Sequence, residues 1–183
     1  IILRRLVDGG VTNVLFTGGG EPFMNPKITI FGLQLAIKLG LKIGLYSNGS
    51  LLNQKLISSI LEYEPIFFRI SIYGNRDSFP KYTRKNQPVF DRVIHNLRIL
   101  TQTKFELGFK TQLGLSYLLH PYTMESIGPL TDQLLTSLTY DQINQIGFMR
   151  FTPAVNYFGK SQHSQNQMED VFDYIEKDIK PKF

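Results

Sequence analysis

Chemistry first becomes legible at Thr17-Gly18-Gly19-Gly20-Glu21-Pro22. Three consecutive glycines let a ligand lie against bare backbone, whose carbonyls and amides can hold an ammonium or a carboxylate, and Glu21 adds an anionic acceptor. A phosphate loop is the weaker reading, because neither the Walker lysine loop nor a GxGxxG fingerprint is present. A plain tight turn is the bland alternative. A second group lies in Ile66 to Tyr73, where a period of two puts Arg69, Ser71 and Tyr73 on one face and Phe68, Ile70 and Ile72 on the other. A third alternates Lys110, Gln112, Gly114 and Ser116 with Thr111, Leu113, Leu115 and Tyr117, and Arg150 stands in a similar place in Phe148-Met149-Arg150-Phe151.

A central parallel strand is covered on both faces and reads apolar throughout, so a face carrying arginine and serine predicts either a binding cavity or an edge strand with one wet side. Three such strands favour one shared polar cavity over three separate accidents. Arg69, Tyr73, Gln112 and Ser116 are therefore candidates to face a substrate.

The elements that must position these residues follow from the hydrophobic pattern. An opening helix to about Val7 exits at Asp8-Gly9-Gly10, and a strand from Val11 to Thr17 follows. Asn25 offers an N-cap before Pro26, and that helix runs to Leu39, ahead of a strand from Leu41 to Tyr46. Helix Asn53 to Tyr63 precedes strand Ile66 to Tyr73. The polar stretch Asn75 to Pro88 predicts a long loop, with room for a short helix, that is solvated or closes over a substrate. A helix from Val89 to Gln102, a strand from Phe105 to Leu119, a helix from Met124 to Leu138, a strand from Ile143 to Phe151 and a helix from Gln167 to Ile179 complete the order. Alternating strands and helices predict an α/β domain with a parallel sheet, in which ligands gather at the carboxyl ends of the strands. No linker or repeat divides residues 1–183, so one domain is the economical count.

Composition narrows the classes. The 183 residues are 42% hydrophobic and 19% charged, and no apolar run approaches the roughly 20 residues of a membrane helix. Lys and Arg exceed Asp and Glu by 20 to 15, which suits an anionic ligand but lacks the clustering of a nucleic-acid stripe. No cysteine is present, which excludes disulfides and thiolate metal ligands from this chain. No His, Asp and Glu spacing suggests a zinc or non-haem iron centre, and no Gly-x-Ser-x-Gly elbow suggests a hydrolase. His95 and His163 read as solvent-facing, whereas His120 sits at a strand end within reach of a site rim.

In order and spacing, these motifs resemble the radical S-adenosylmethionine (radical SAM) superfamily. Thr17 to Pro22 resembles its GGEP motif, Tyr46-Ser47-Asn48-Gly49 its TNG-type strand end, and Arg69-Ile70-Ser71-Ile72-Tyr73-Gly74 its RxSxDG strand end. Leu115 to Pro121 and Phe148 to Pro153 are similar to the fifth and sixth barrel strands. The resemblance implies a partial (β/α)6 TIM-like barrel lacking the first strand and the cluster loop. It also implies a cytoplasmic enzyme that cleaves S-adenosylmethionine at a 4Fe-4S cluster and abstracts hydrogen from a small-molecule or peptide substrate, with an electron donor as partner and neither nucleic acid nor membrane.

Carried over by residue, the resemblance implies that Gly18, Gly19, Gly20, Glu21 and Pro22 line the site for the methionyl amine. Ser47, Asn48 and Ser71 would approach the carboxylate or ribose, and Lys110 and Arg150 the cofactor carboxylate or the substrate. Tyr73 replaces the family's acidic residue. The family's three cluster cysteines would lie upstream of Ile1, so the sequence is read as a fragment, inactive by itself. The alternative is a cysteine-free pseudo-enzyme or a module that binds a nucleoside or peptide without radical chemistry.

Overall fold

The computed structural model describes residues 2–120, 123–153 and 169–179. His163, Pro121, the start of the last helix at Gln167 and both chain ends lie outside the described residues. Among the described residues there are five strands: β1 (Asn13–Phe16), β2 (Lys42–Ser47), β3 (Phe67–Ile72), β4 (Gln112–Leu119) and β5 (Ile146–Pro153). They form one open sheet in sequence order, and every neighbouring pair is parallel. Crossovers of a single hand between strands laid down in sequence place the connecting helices on one face, leaving the other face for a lumen. This is the expected partial TIM-like barrel.

The covering helices are α1 (Ile2–Asp8), α2 (Pro26–Lys38), α3 (Gln54–Leu61), α4 (Phe79–Thr83), α5 (Gln87–Leu107), α6 (Ile127–Ser137) and α7 (Tyr140–Asn144). Residues 169–174 are helical and run into a π-helical turn at Ile175–Ile179. Local signals set several boundaries. Asn25 caps α2 by accepting from the Ile28 amide at 3.2 Å, and Asn53 caps α3 by accepting from the Leu56 amide at 2.9 Å.

Period two sorts the strands into two faces. Phe68, Ile70 and Ile72 of β3 and Leu113, Leu115 and Tyr117 of β4 are at most 2% exposed, packed among buried residues of the helices such as Leu33, Ile57, Ile60, Phe90, Leu97 and Leu134. Each such aliphatic or aromatic side chain contributes about 1.5 to 3 kcal/mol by leaving water. The opposite face carries Tyr46, Arg69, Ser71, Ser116 and Arg150, as the alternation predicted.

Several expected boundaries differ. Phe105 to Leu107 belong to α5, which starts at Gln87 and is longer than its Val89-to-Gln102 core. Pro88 sits in its first turn, where a missing N–H costs nothing. Thr139 and Gln142 form a capping box that starts α7, so Ile143 is helical and β5 begins at Ile146. The segment from Asn75 to Pro88 holds α4 and the first turn of α5.

Candidate functional site

Two adjoining cavities open at the carboxyl ends of the strands. The smaller, of about 230 Å³, is lined by Thr17, Gly18, Gly20, Glu21, Pro22, Tyr46, Ser47, Asn48, Ser71 and Tyr73. The larger, of about 700 Å³, is lined by Tyr46, Arg69, Ser71, Tyr73, Tyr82, Thr83, Ser116, Leu118, Arg150 and Thr152. Tyr46, Ser71 and Tyr73 form the wall between them.

The smaller cavity is a backbone cradle. Gly18 has φ +153, which a side chain rarely tolerates, and a Cβ placed on Gly18, Gly19 or Gly20 would meet no atom within 4 Å. The space over this backbone is therefore open to a ligand. Glu21 holds the cradle in place rather than serving as a free acceptor. Its carboxylate accepts from the Ser47 hydroxyl at 2.7 Å, the Asn48 amide at 2.7 Å and the Phe23 amide at 3.3 Å, locking the end of β1 to the end of β2.

Ser47 is 3% exposed, and its Oγ also accepts from the Gly49 amide at 3.0 Å. Asn48 Oδ1 accepts from the Ser50 amide and hydroxyl at 2.9 and 2.7 Å. Behind this loop, buried Asn96 of α5 donates to the Gly49 carbonyl at 2.8 Å, so a core helix fixes the strand end. The cradle thus offers a ligand backbone amides and carbonyls, the side-chain Nδ2 of Asn48 and, from the shared wall, Ser71.

The larger cavity is made of side chains. Arg69 is held in a box of three aromatic rings, with its guanidinium carbon 4.5 Å from the Tyr46 ring centre, 5.0 Å from Phe148 and 5.3 Å from Phe67. One guanidinium nitrogen, Nη1, donates to the Tyr46 hydroxyl at 2.6 Å. Its Nε is sealed from water with no partner among the described residues, a state that costs on the order of 1 to 3 kcal/mol.

Two strand glycines admit the rings. A Cβ on Gly44 would come within 2.4 Å of the Phe67 ring, and one on Gly114 within 2.3 Å of the Phe148 ring. Above this layer Ser71, Ser116 and Arg150 share one row of the sheet. Tyr73 stacks on Tyr82 of α4 with ring centres 5.3 Å apart, and Tyr82 meets His120 edge-on at 5.0 Å. The segment from Asn75 to Pro88 therefore reaches over the cavity through Tyr82 and Thr83. His120, 3% exposed, lies behind Tyr82 rather than on the rim, and burial lowers its pKa below that of an ordinary imidazole.

The expected residues thus divide. Gly18, Gly20, Glu21, Pro22, Ser47 and Asn48 line the cradle, with Gly19 between two of them, while Arg69, Ser116 and Arg150 line the larger cavity. Lys110 and Gln112 do not belong to either. β4 starts at Gln112, two residues after Lys110, so both stand at the amino end of the sheet and both are exposed. The expected strand from Phe105 misplaced them, because α5 takes its first three residues and Gly108, with φ +67, ends that helix. Tyr82 lies in the segment expected to close over a substrate, whereas sequence reading missed Tyr46, Phe67 and Phe148 as residues of the cavity. The signal available was glycine in the interior of two strands, Gly44 and Gly114, each making room for a ring on the next strand.

Among the described residues no group of three His, Cys, Asp or Glu is placed to hold a metal, and the sequence has no cysteine. The chain itself does not fit an iron-sulfur cluster. What the chain does present is an open glycine backbone beside a second cavity, the two sharing Tyr46, Ser71 and Tyr73.

Comparison with known proteins agrees with this geometry. SuiB of Streptococcus suis bound to S-adenosylmethionine is similar in structure, with TM-score 0.64 and 18% identity over 96% of this chain and 38% of SuiB. SuiB bound to its precursor peptide SuiA matches with TM-score 0.65, 18% identity and the same coverage. A domain of pyruvate-formate lyase-activating enzyme from Bacteroides vulgatus matches with TM-score 0.60 and 16% identity over 89% of this chain and 94% of that domain. At these identities the likeness is one of fold, and the chain spans 38% of the length of SuiB. No curated protein matches the sequence. The sequence profile of the radical SAM superfamily, by contrast, matches residues 2–134, most of the chain and every strand but β5. With that match, a sequential parallel sheet and a glycine cradle at its carboxyl edge, the chain belongs to the radical SAM superfamily.

Proposed function

We propose that residues 1–183 form one core domain that binds S-adenosylmethionine and substrate for a radical SAM enzyme, with the cluster ligands supplied by residues outside this sequence. The observation that carries this reading is the open backbone of Gly18, Gly19 and Gly20, held by the Glu21 clamp beside Asn48 and Ser71. Backbone carbonyls there suit the methionyl ammonium, and Ser71 suits a hydroxyl or carboxylate. Arg150, exposed in the larger cavity, suits the cofactor carboxylate. Bound S-adenosylmethionine supplies a sulfonium whose one-electron reduction starts hydrogen abstraction from substrate. The chain's own part is to fix the nucleoside against the strand tips and, through Tyr73, Tyr82 and α4, to narrow the access of water. A peptide substrate is supported by the likeness to SuiB, which is seen bound to its precursor peptide. The reduction calls for an electron donor as partner.

Titration of this chain with S-adenosylmethionine, or with S-adenosylhomocysteine as a stable analogue, tests the reading by calorimetry. Saturable binding is expected. Gly20→Val should weaken it at least tenfold without lowering Tm, since a side chain there meets open space rather than protein. Wild-type chain that fails to bind either nucleoside overturns the proposal.

The absence of cysteine supports a second reading, a binding module without radical chemistry. Three cysteines encoded shortly before Ile1 would exclude it, and their absence from the full reading frame would favour it. In either case the 183 residues alone should release no 5'-deoxyadenosine under anaerobic, reducing conditions, as product analysis would show.

A further inference from the structure

We infer that Arg69 is the receptor for a carboxylate on the substrate, so that the larger cavity selects an acid. The inference rests on the proposed function for calling the occupant a substrate, but its physical basis is independent of the cofactor. A guanidinium has two flat faces and an edge of five N–H donors. In Arg69 the guanidinium carbon lies 4.5 to 5.3 Å from the ring centres of Tyr46, Phe67 and Phe148, while only one hydrogen bond, to the Tyr46 hydroxyl, is made at the edge among the described residues. Among the described residues the cavity wall contains no Asp or Glu, and the nearest row of the sheet offers Ser71, Ser116 and a second cation, Arg150.

A cation serving only structure is expected to pair with a carboxylate of its own chain, as Arg76 does with Asp91 at 2.8 Å on the surface of this protein. Arg69 is instead half-buried against aromatic rings, has no carboxylate partner among the described residues, and is set in the wall of a cavity of about 700 Å³. A planar carboxylate matches the donors that remain at the two terminal nitrogens, Nε being sealed. Rigid rings on three sides hold the fork in one orientation before the ligand arrives, which lowers the ordering cost of binding. Two sources share this chemistry, an acidic side chain of a peptide and a free organic acid.

Calorimetric titration of the full chain, saturated with S-adenosylhomocysteine, tests the inference with three probes. These are N-acetyl-glutamate N-methylamide as the peptide-like acid, N-acetyl-glutamine N-methylamide as its neutral isostere, and glutarate as the free acid. At least one acid should bind tenfold or more tighter than the neutral amide. The tighter of the two acids identifies the source. Arg69→Gln should abolish the preference, and Arg69→Lys, which keeps charge but loses the fork, should retain only part of it.

Arg150→Gln should lower affinity for S-adenosylhomocysteine, whereas Arg69→Gln should not. Tm is measured for each variant, and Phe148→Leu, which removes one wall of the box and leaves Arg69 in place, should weaken acid binding even if Arg69→Gln fails to fold. Equal binding of acids and amide, or a preference that survives Arg69→Gln, overturns the inference. A fall in S-adenosylhomocysteine affinity on Arg69→Gln overturns it as well, by assigning the guanidinium to the cofactor. Failure of the wild-type chain to bind S-adenosylhomocysteine would instead overturn the proposed function, and a persisting acid preference would leave Arg69 as an acid receptor.

Discussion

The two adjoining cavities share Tyr46, Ser71 and Tyr73 yet are built on opposite plans. In the glycine cradle, the carboxylate of Glu21 and the hydroxyl of Ser47 are engaged by the chain itself, and what is left for a ligand is mostly backbone. In the larger cavity the backbone is busy in the ladder between strands, and the side chains of Arg69, Ser71, Ser116 and Arg150 carry the unused hydrogen-bonding capacity. A backbone site recognises what is common to a class of ligands, whereas a side-chain site can be varied residue by residue. The contrast fits the proposed roles, with S-adenosylmethionine on the cradle and a substrate in the larger cavity.

Breaking the clamp should have the largest effect. Glu21→Ala removes the acceptor of three hydrogen bonds and should destabilise the chain by on the order of 3 kcal/mol, with loss of nucleoside binding, as denaturant titration and calorimetry would show. Next is Gly114→Ala. In an ordinary strand this change stabilises. Here the new methyl meets the Phe148 ring and should cost about 1 to 3 kcal/mol while disturbing the box around Arg69. Equal or greater stability in the variant would show that the ring moves freely.

Arg69→Met should change stability by no more than about 1 kcal/mol. The lost cation–π contacts and Tyr46 hydrogen bond are offset by removal of the unpaired Nε. A larger loss would mean that the guanidinium holds the fold together.

The smallest effect concerns His120, behind the shared wall. Its pKa is lowered by burial, so above the unfolded value of about 6.5 it is neutral in both states and contributes no pH dependence. As pH falls below that value, the unfolded chain takes the proton first and stability drops, down to the folded pKa. His120→Gln should flatten this acid limb of a stability profile measured between pH 7 and pH 5. An unchanged slope would assign the limb to other groups.

Much of the fold was readable because parallel strands with helix crossovers leave period-two and period-3.6 signatures, and the alternation of Arg69 and Ser71 with Ile70 and Ile72 announced the cavity face. The cradle was readable only in part, since three glycines after a strand also suit a plain tight turn, and it was the order of motifs around them that favoured a ligand site. What sequence left ambiguous were the ends of elements. Residues 105–107 are apolar enough for either a strand or a helix, and their helical fate moved Lys110 and Gln112 to the wrong edge of the sheet. The aromatic box was hidden because Tyr46, Phe67 and Phe148 come from three strands, and only register brings them to one guanidinium. A free Glu21 was also expected, and nothing local in the sequence says that its carboxylate turns back onto β2.

The floor of the larger hollow is a checkerboard in which each bulky square faces an empty one on the adjacent strand, Phe67 against Gly44 and Phe148 against Gly114. Exchanging the occupants of one such couple conserves the filled volume but slides the wall sideways by one strand spacing, about 4.8 Å. The breadth of the hollow is thereby encoded in which partner of each couple is empty, so two coordinated substitutions could retune what fits without touching the cradle next door.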